Sequence, residues 1–180
     1  MTAMVALLRG INVGGTSVIS MADVRQIATE CGYGNVGTYV QSGNLVFTAS
    51  QDPDEVAATL RTAFAESSSV EPEVIVRTQA ELHEVVAANP FLDRDAEPKQ
   101  LQVVFMPGNE PASVAGVDLE SFAPEAAAVV GRELYMYLPN GMGRSKLAAA
   151  LMRKSGTSGT ARNWRTVTKL AAMADEAADL

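Results

Sequence analysis

Residues 37–49 constrain this chain most: two strand-forming runs, 37–41 and 44–49, meet at Ser42 and Gly43, too few residues for anything but a hairpin. A helical pattern stands on either side. Before the hairpin, Ser20 and Asp23 make a capping pattern, and Val24, Ile27, Ala28 and Cys31 recur at the spacing of one helix face. After it, Asp52 is a natural N-cap with Pro53 in the first helical position, and Val56, Leu60, Ala63 and Phe64 repeat the stripe. Strands at 4–9 and 73–78 close the order β-α-β-β-α-β, the split βαβ or ferredoxin-like arrangement.

The second half reads similarly. Thr78 and Glu81 cap a helix over 79–88 that stops before Pro90, and an acidic, proline-containing loop at 93–99 follows. Beyond it the patterns predict a strand (101–106), a helix (111–122), two strands joined at Gly131 and Arg132 (126–130 and 133–138) and a helix (144–154). A linker at 156–160 and a last amphipathic helix over 163–174 complete the chain. The fold expected is α+β: two related β-α-β-β-α halves, residues 1–98 and 99–180, with mixed, largely antiparallel sheets and a C-terminal helix.

Composition excludes several classes of function. With 47% hydrophobic and 19% charged residues the chain buries a real core and is neither disordered nor fibrous. No apolar run approaches the roughly 18 residues a membrane helix needs, and no basic leader precedes the first strand. Cys31 is the single cysteine, so no internal disulfide forms; together these features predict a soluble, cytoplasmic protein. One histidine, one cysteine and scattered carboxylates build no closed zinc site, and neither a metal nor a cofactor is expected. The net charge of −7 disfavours general nucleic-acid binding, yet residues 144–174 hold no acidic residue and seven basic ones. A nucleic-acid or partner-binding module on that basic third is thus an alternative function. Oligomeric state is not encoded in any pattern of the sequence.

Apparent motifs mostly resolve into structure. Gly32, Gly34 and Gly37 match G-x-G-x-x-G but lead from a helix into a strand, the reverse of a dinucleotide site. His83 falls on the polar side of its helix, Cys31 on an apolar one, and Asp93, Asp95 and Glu97 lack the remainder of a calcium loop. Tyr135 and Tyr137 alternate as sheet residues do. Two places remain. The strand end at Arg9 runs into a loop containing Gly10, Asn12, Gly14 and Gly15, where glycines let a ligand approach the backbone. Residues 140–146, with Gly141, Gly143, Arg144, Ser145 and Lys146, open a helix in the orientation that attracts an anion.

The runs ALLRGINVGG (residues 6–15) and NVGTYVQSGNLVF (35–47), the helix beginning near Met21, the Asn89-Pro90-Phe91 triplet and TARNWRTVTKL (160–170) together resemble the bacterial domain of unknown function 1697. The resemblance implies an α+β protein of two related ferredoxin-like halves and implies no activity. Thr16 stands where relatives often carry a basic residue. The donor-rich loops point to a small anionic or nucleotide-like ligand, and the motif set implies that Arg9, Asn12, Gly14, Gly15, Gln41, Ser42, Asn44, Arg162, Asn163 and Trp164 converge to hold it. In that reading Arg9 or Arg162 grips a phosphate or carboxylate, the asparagines read polar edges and Trp164 supplies a wall. No general base or nucleophile accompanies them, so whether a reaction is catalysed stays open. The competing account is that these polar residues only cap, turn and brace the fold.

Overall fold

The computed structural model describes residues 1–155 and 159–180, and the chain divides into two compact units. Unit 1 comprises Met1–His83 with Lys169–Leu180, and unit 2 comprises Glu84–Thr168. The composition of the 93–99 loop points to a cut near 98; the units instead exchange within two helices, α3 (Gln79–Ala87) and α5 (Trp164–Ala178).

In unit 1 the elements are β1 (Thr2–Arg9), α1 (Met21–Glu30), β2 (Gly34–Tyr39), β3 (Asn44–Ala49), α2 (Pro53–Ser67) and β4 (Glu73–Thr78). The strands form one antiparallel sheet in the order β2-β3-β1-β4. Each helix begins where its cap residue predicts: the Asp23 N–H donates to Ser20 Oγ at 3.0 Å, and the Asp54 and Glu55 N–H groups both donate to Asp52 Oδ1 at 3.0 Å. Losing such a cap costs about 1 kcal/mol. The apolar stripes of α1 and α2 join alternate residues of the sheet, among them Met4, Ala6, Leu8, Leu45, Phe47 and Val76, in a single core. Leu60 and Phe64 are wholly buried there, each contributing roughly 1.5–3 kcal/mol of transfer free energy. Tyr33 stacks on Phe47 with ring centroids 4.8 Å apart. The last part of α5 is tied to this unit, since the Asn35 side chain donates to Ala177 O at 3.0 Å and that of Gln79 to Asp175 Oδ1 at 2.6 Å.

Unit 2 repeats the sheet. β5 (Leu101–Phe105), β6 (Ala126–Val130), β7 (Glu133–Tyr137) and β8 (Thr160–Asn163) lie antiparallel in the order β6-β7-β5-β8, with α4 (Lys146–Ser155) between β7 and β8. Strand for strand this is the order of unit 1, and the chain is α+β with two ferredoxin-like halves and a C-terminal helix.

Two expectations for this half are corrected. Residues 111–122 form no α-helix: Gly108 and Gly116 take left-handed φ values of 60° and 74°, and only a short 3-10 turn at Leu119–Phe122 is helical. The loop nevertheless fills a helix's place, because Ala112, Val114, Val117, Leu119 and Phe122 pack with Val104, Leu134, Met136 and the α4 residues Leu147 and Leu151. Residues 160–163, expected as the end of a linker and the start of a helix, form β8 instead. Four residues are too few to show a period, and their conformation follows from the register of Ala161 on Val104 and Arg162 on Val103. Most of the expected linker, residues 156–158, lies outside the described residues.

Candidate functional site

In unit 1 the glycine loop and the hairpin turn come together. Antiparallel pairing places Leu7 of β1 opposite Asn44 of β3, so the end of β1 lies beside the start of β3. Gly10, at φ 86°, turns the chain out of the sheet, buried Ile11 anchors it, and Asn12 enters the left-handed region at φ 54°. Three polar groups of Asn12 then shape the loop: its N–H donates to Ser17 O at 2.6 Å, its Nδ2 to Gln41 O at 3.0 Å, and its Oδ1 accepts from Ile19 N at 2.9 Å. The result is an exposed arch, residues 13–16, stitched to the neighbouring turn.

That turn is tightly determined. Asn44, fully buried, donates through Nδ2 to Tyr39 O at 2.9 Å and Ser42 Oγ at 3.0 Å, which closes the chain between β2 and β3. Leu8 N donates to Gly43 O at 2.8 Å. Gly43 has φ 87°, and a Cβ placed on it would stand 2.8 Å from Leu8 Cβ and 2.9 Å from Ile11 Cδ1, so glycine alone fits. Val40, half exposed, takes φ 49°, a conformation that β-branched residues avoid and that costs on the order of 1–3 kcal/mol.

Of the expected contact residues in this unit, Arg9, Gly14, Gly15, Gln41 and Ser42 are exposed, whereas Asn12 and Asn44 spend their side chains holding the two loops. Arg9 stands in register with Glu73 of β4, so a carboxylate flanks the one basic residue of the loop pair.

Arg162, Asn163 and Trp164 lie in unit 2. Arg162 is buried on β8, its Nη1 donating to Thr160 Oγ1 at 2.8 Å and Ala161 O at 2.9 Å, and desolvation pushes its pKa down to about 10. It stays protonated at neutral pH. Asn163 Oδ1 accepts from Thr166 N at 2.9 Å and caps α5, whose first residue is the partly buried Trp164. Sequence reasoning missed the counterpart of Arg162. Arg77, 2% exposed on β4, also donates through Nη1 to the carbonyl of the preceding residue, Val76, at 2.9 Å. Arg77 pairs with Val5 of β1 as Arg162 pairs with Val103 of β5, and each precedes a cap residue and a helix. The shared signal is an arginine followed by Thr78 or Asn163 at a strand end, which on one strand alone reads as an ordinary solvated edge.

The other anion-attracting place holds the chain's own anion. At the start of α4, Ser145 Oγ accepts from Ala148 N at 2.9 Å and Glu125 Oε2 from Leu147 N at 2.9 Å. These N–H groups are therefore satisfied internally. An open cleft of about 550 Å³ beside α1 is lined by Asp23, Glu30 and Ser67 to Ser69, and its carboxylates disfavour an anion there too. His83 is exposed, with Nε2 2.7 Å from Asp175 Oδ1. Cys31, partly buried, has its thiol pKa pushed up by desolvation and then by Glu30, which leaves it a poor nucleophile.

Residues 1–135 match the family described as Protein of unknown function (DUF1697). This chain belongs to that family. The match takes in both loops of the unit 1 site and ends before β8, so Arg162, Asn163 and Trp164 fall outside it. No curated protein matches the chain. Among solved structures, the DUF1697 chain is similar to conserved bacterial protein SP0830 from Streptococcus pneumoniae, with a TM-score of 0.72 and 21% identity over 96% of this chain and 98% of that one. That likeness is one of fold. Among the described residues, no helix is long and apolar enough to cross a membrane.

Proposed function

We propose that the paired loops of unit 1, residues 10–16 and 40–43, bind a small anionic or nucleotide-like ligand. One observation carries the reading. Six residues in the left-handed region, Gly10, Asn12, Gly14, Gly15, Val40 and Gly43, gather in two loops stitched together by Asn12, and one of them is a strained, exposed valine. Strain of that kind persists where surrounding structure over-determines it, and functional loops are where it collects. Arg9 at the strand end supplies the charge, the exposed main chain of Gly14 and Gly15 can approach a ligand without side chains in the way, and Gln41 and Ser42 offer polar contacts. Asn12 and Asn44 position these groups and do not contact the ligand.

A thermal-shift screen with inorganic phosphate, nucleoside monophosphates, sugar phosphates and small carboxylates tests the reading. A binder at about 100 times its Kd adds roughly 2.7 kcal/mol of stability. Arg9→Ala is expected to abolish the shift while leaving the ligand-free melting temperature near that of the wild type. No shift with any of these anions, or a shift that Arg9→Ala leaves intact, refutes it.

A further inference from the structure

We propose that β6 is a self-pairing edge through which this chain associates with a second copy of itself. The two four-stranded sheets present four edges, and three carry features that oppose pairing. β2 is interrupted by a register shift between Gly34 and Gly37, with Asn35 at φ 49°. β4 carries Glu73 and Arg77, and β8 has only four residues, one of them Arg162. β6 has none of these devices. Its sequence is Ala-Ala-Ala-Val-Val, without charge, proline or bulge, and its ladder with β7 runs unbroken from Ala126 opposite Tyr137 to Val130 opposite Glu133. Within the duplicated architecture β6 holds the place of β2, so the two halves differ at this edge while sharing its topology.

The hairpin geometry says which groups face outward. Gly131, at φ 61°, and Arg132 form a two-residue turn, which makes Val130 and Glu133 a hydrogen-bonded pair. By alternation Ala128 and Ala126 also bond toward β7, and the N–H and C=O groups of Ala127 and Val129 point away from it. Antiparallel pairing about a two-fold axis at Ala128 sets Ala127 against Val129 of the second copy, twice, and completes four hydrogen bonds. The same register opposes no like charges: Glu125 falls opposite Gly131 of the second copy, its carboxylate remaining on Leu147 N, and Arg132 falls opposite Pro124. An interface of one short strand is small, and the association is weak and reversible.

Sedimentation equilibrium across a concentration series, combined with cysteine substitutions in a Cys31→Ser background, tests the proposal. In this register the two Ala128 Cα atoms stand about 4.5 Å apart, within disulfide reach, while the two Ala126 Cα atoms lie about 14 Å apart, well beyond it. Under mild copper–phenanthroline oxidation Ala128→Cys should give a covalent dimer and Ala126→Cys should stay monomeric. Val129→Pro removes an outward N–H without touching the β7 ladder and should abolish the concentration-dependent rise in mass. A wild-type protein that remains monomeric throughout, equal cross-linking at 126 and 128, or undiminished association of Val129→Pro overturns it.

Discussion

Gly43→Ala measures how tightly the hairpin turn is held against β1. The added Cβ meets Leu8 Cβ at 2.8 Å, Ile11 Cδ1 at 2.9 Å and Leu8 O at 3.1 Å. Leu8 is a central sheet residue and Ile11 is buried, so neither can retreat without displacing the core. Overpacking of this kind costs roughly 1–3 kcal/mol. Holding alanine at φ 87° adds about 1–2 kcal/mol, while reduced freedom of the unfolded chain returns roughly 0.4–1 kcal/mol. The net loss is about 3 kcal/mol, which in a chain of this size lowers Tm on the order of 6–12 °C. Gly10→Ala is the internal control: φ is 86° there, but nothing lies within 4 Å of the new Cβ. Only the conformational cost remains, and the loss should stay below about 1.5 kcal/mol. Urea titrations of both variants separate the two contributions. Equal losses at positions 10 and 43 would refute the claim that the turn is locked by close approach to β1.

Val40→Asn replaces a strained, half-exposed valine with a residue that tolerates left-handed backbone, and is expected to stabilise the protein by about 0.5–1 kcal/mol in urea titration; a loss above about 1 kcal/mol contradicts the strain. Hydrogen bonds from Gln79 and then His83 hold the Asp175 carboxyl below its ordinary pKa. A carboxylate depressed in the folded state stabilises above its unfolded pKa and ceases to do so as pH falls through the folded value. Asp175→Asn should therefore lower Tm at pH 6–7, and the difference from wild type should fade below about pH 4. The raised pKa of Cys31 predicts alkylation by iodoacetamide more slowly than a free thiol at pH 7.5, with Glu30→Gln accelerating it; wild-type alkylation as fast as that of free cysteine would contradict the burial.

Local chemistry carried much of this fold into the sequence. Ser20, Asp52 and Thr78 announce helix starts because a cap acts within three residues of itself, and the Ser42-Gly43 turn announces a hairpin for the same reason. What escaped depends on distant partners. Residues 111–122 have helix-compatible apolar spacing, but Gly116 breaks the backbone and the core of unit 2 accepts the apolar side chains from a loop. β8 exists only because β5 offers it a ladder. At the candidate site the residue types were visible but their division of labour was not. Asn12 and Asn44 read equally well as ligand contacts or as braces until their hydrogen bonds to Gln41 O and Tyr39 O are seen. Val40 gives no sequence signal at all, since valine is what a strand end would carry.

The most direct test of ligand binding at the paired loops is an amide-resolved NMR titration with inorganic phosphate and, separately, adenosine monophosphate. Saturable shifts are expected only at the N–H groups of residues 13–16 and 41–43, with residues 145–148 at the internally satisfied start of α4 unmoved. Shifts centred on α4, or no saturable shift in either loop, would contradict binding at the paired loops.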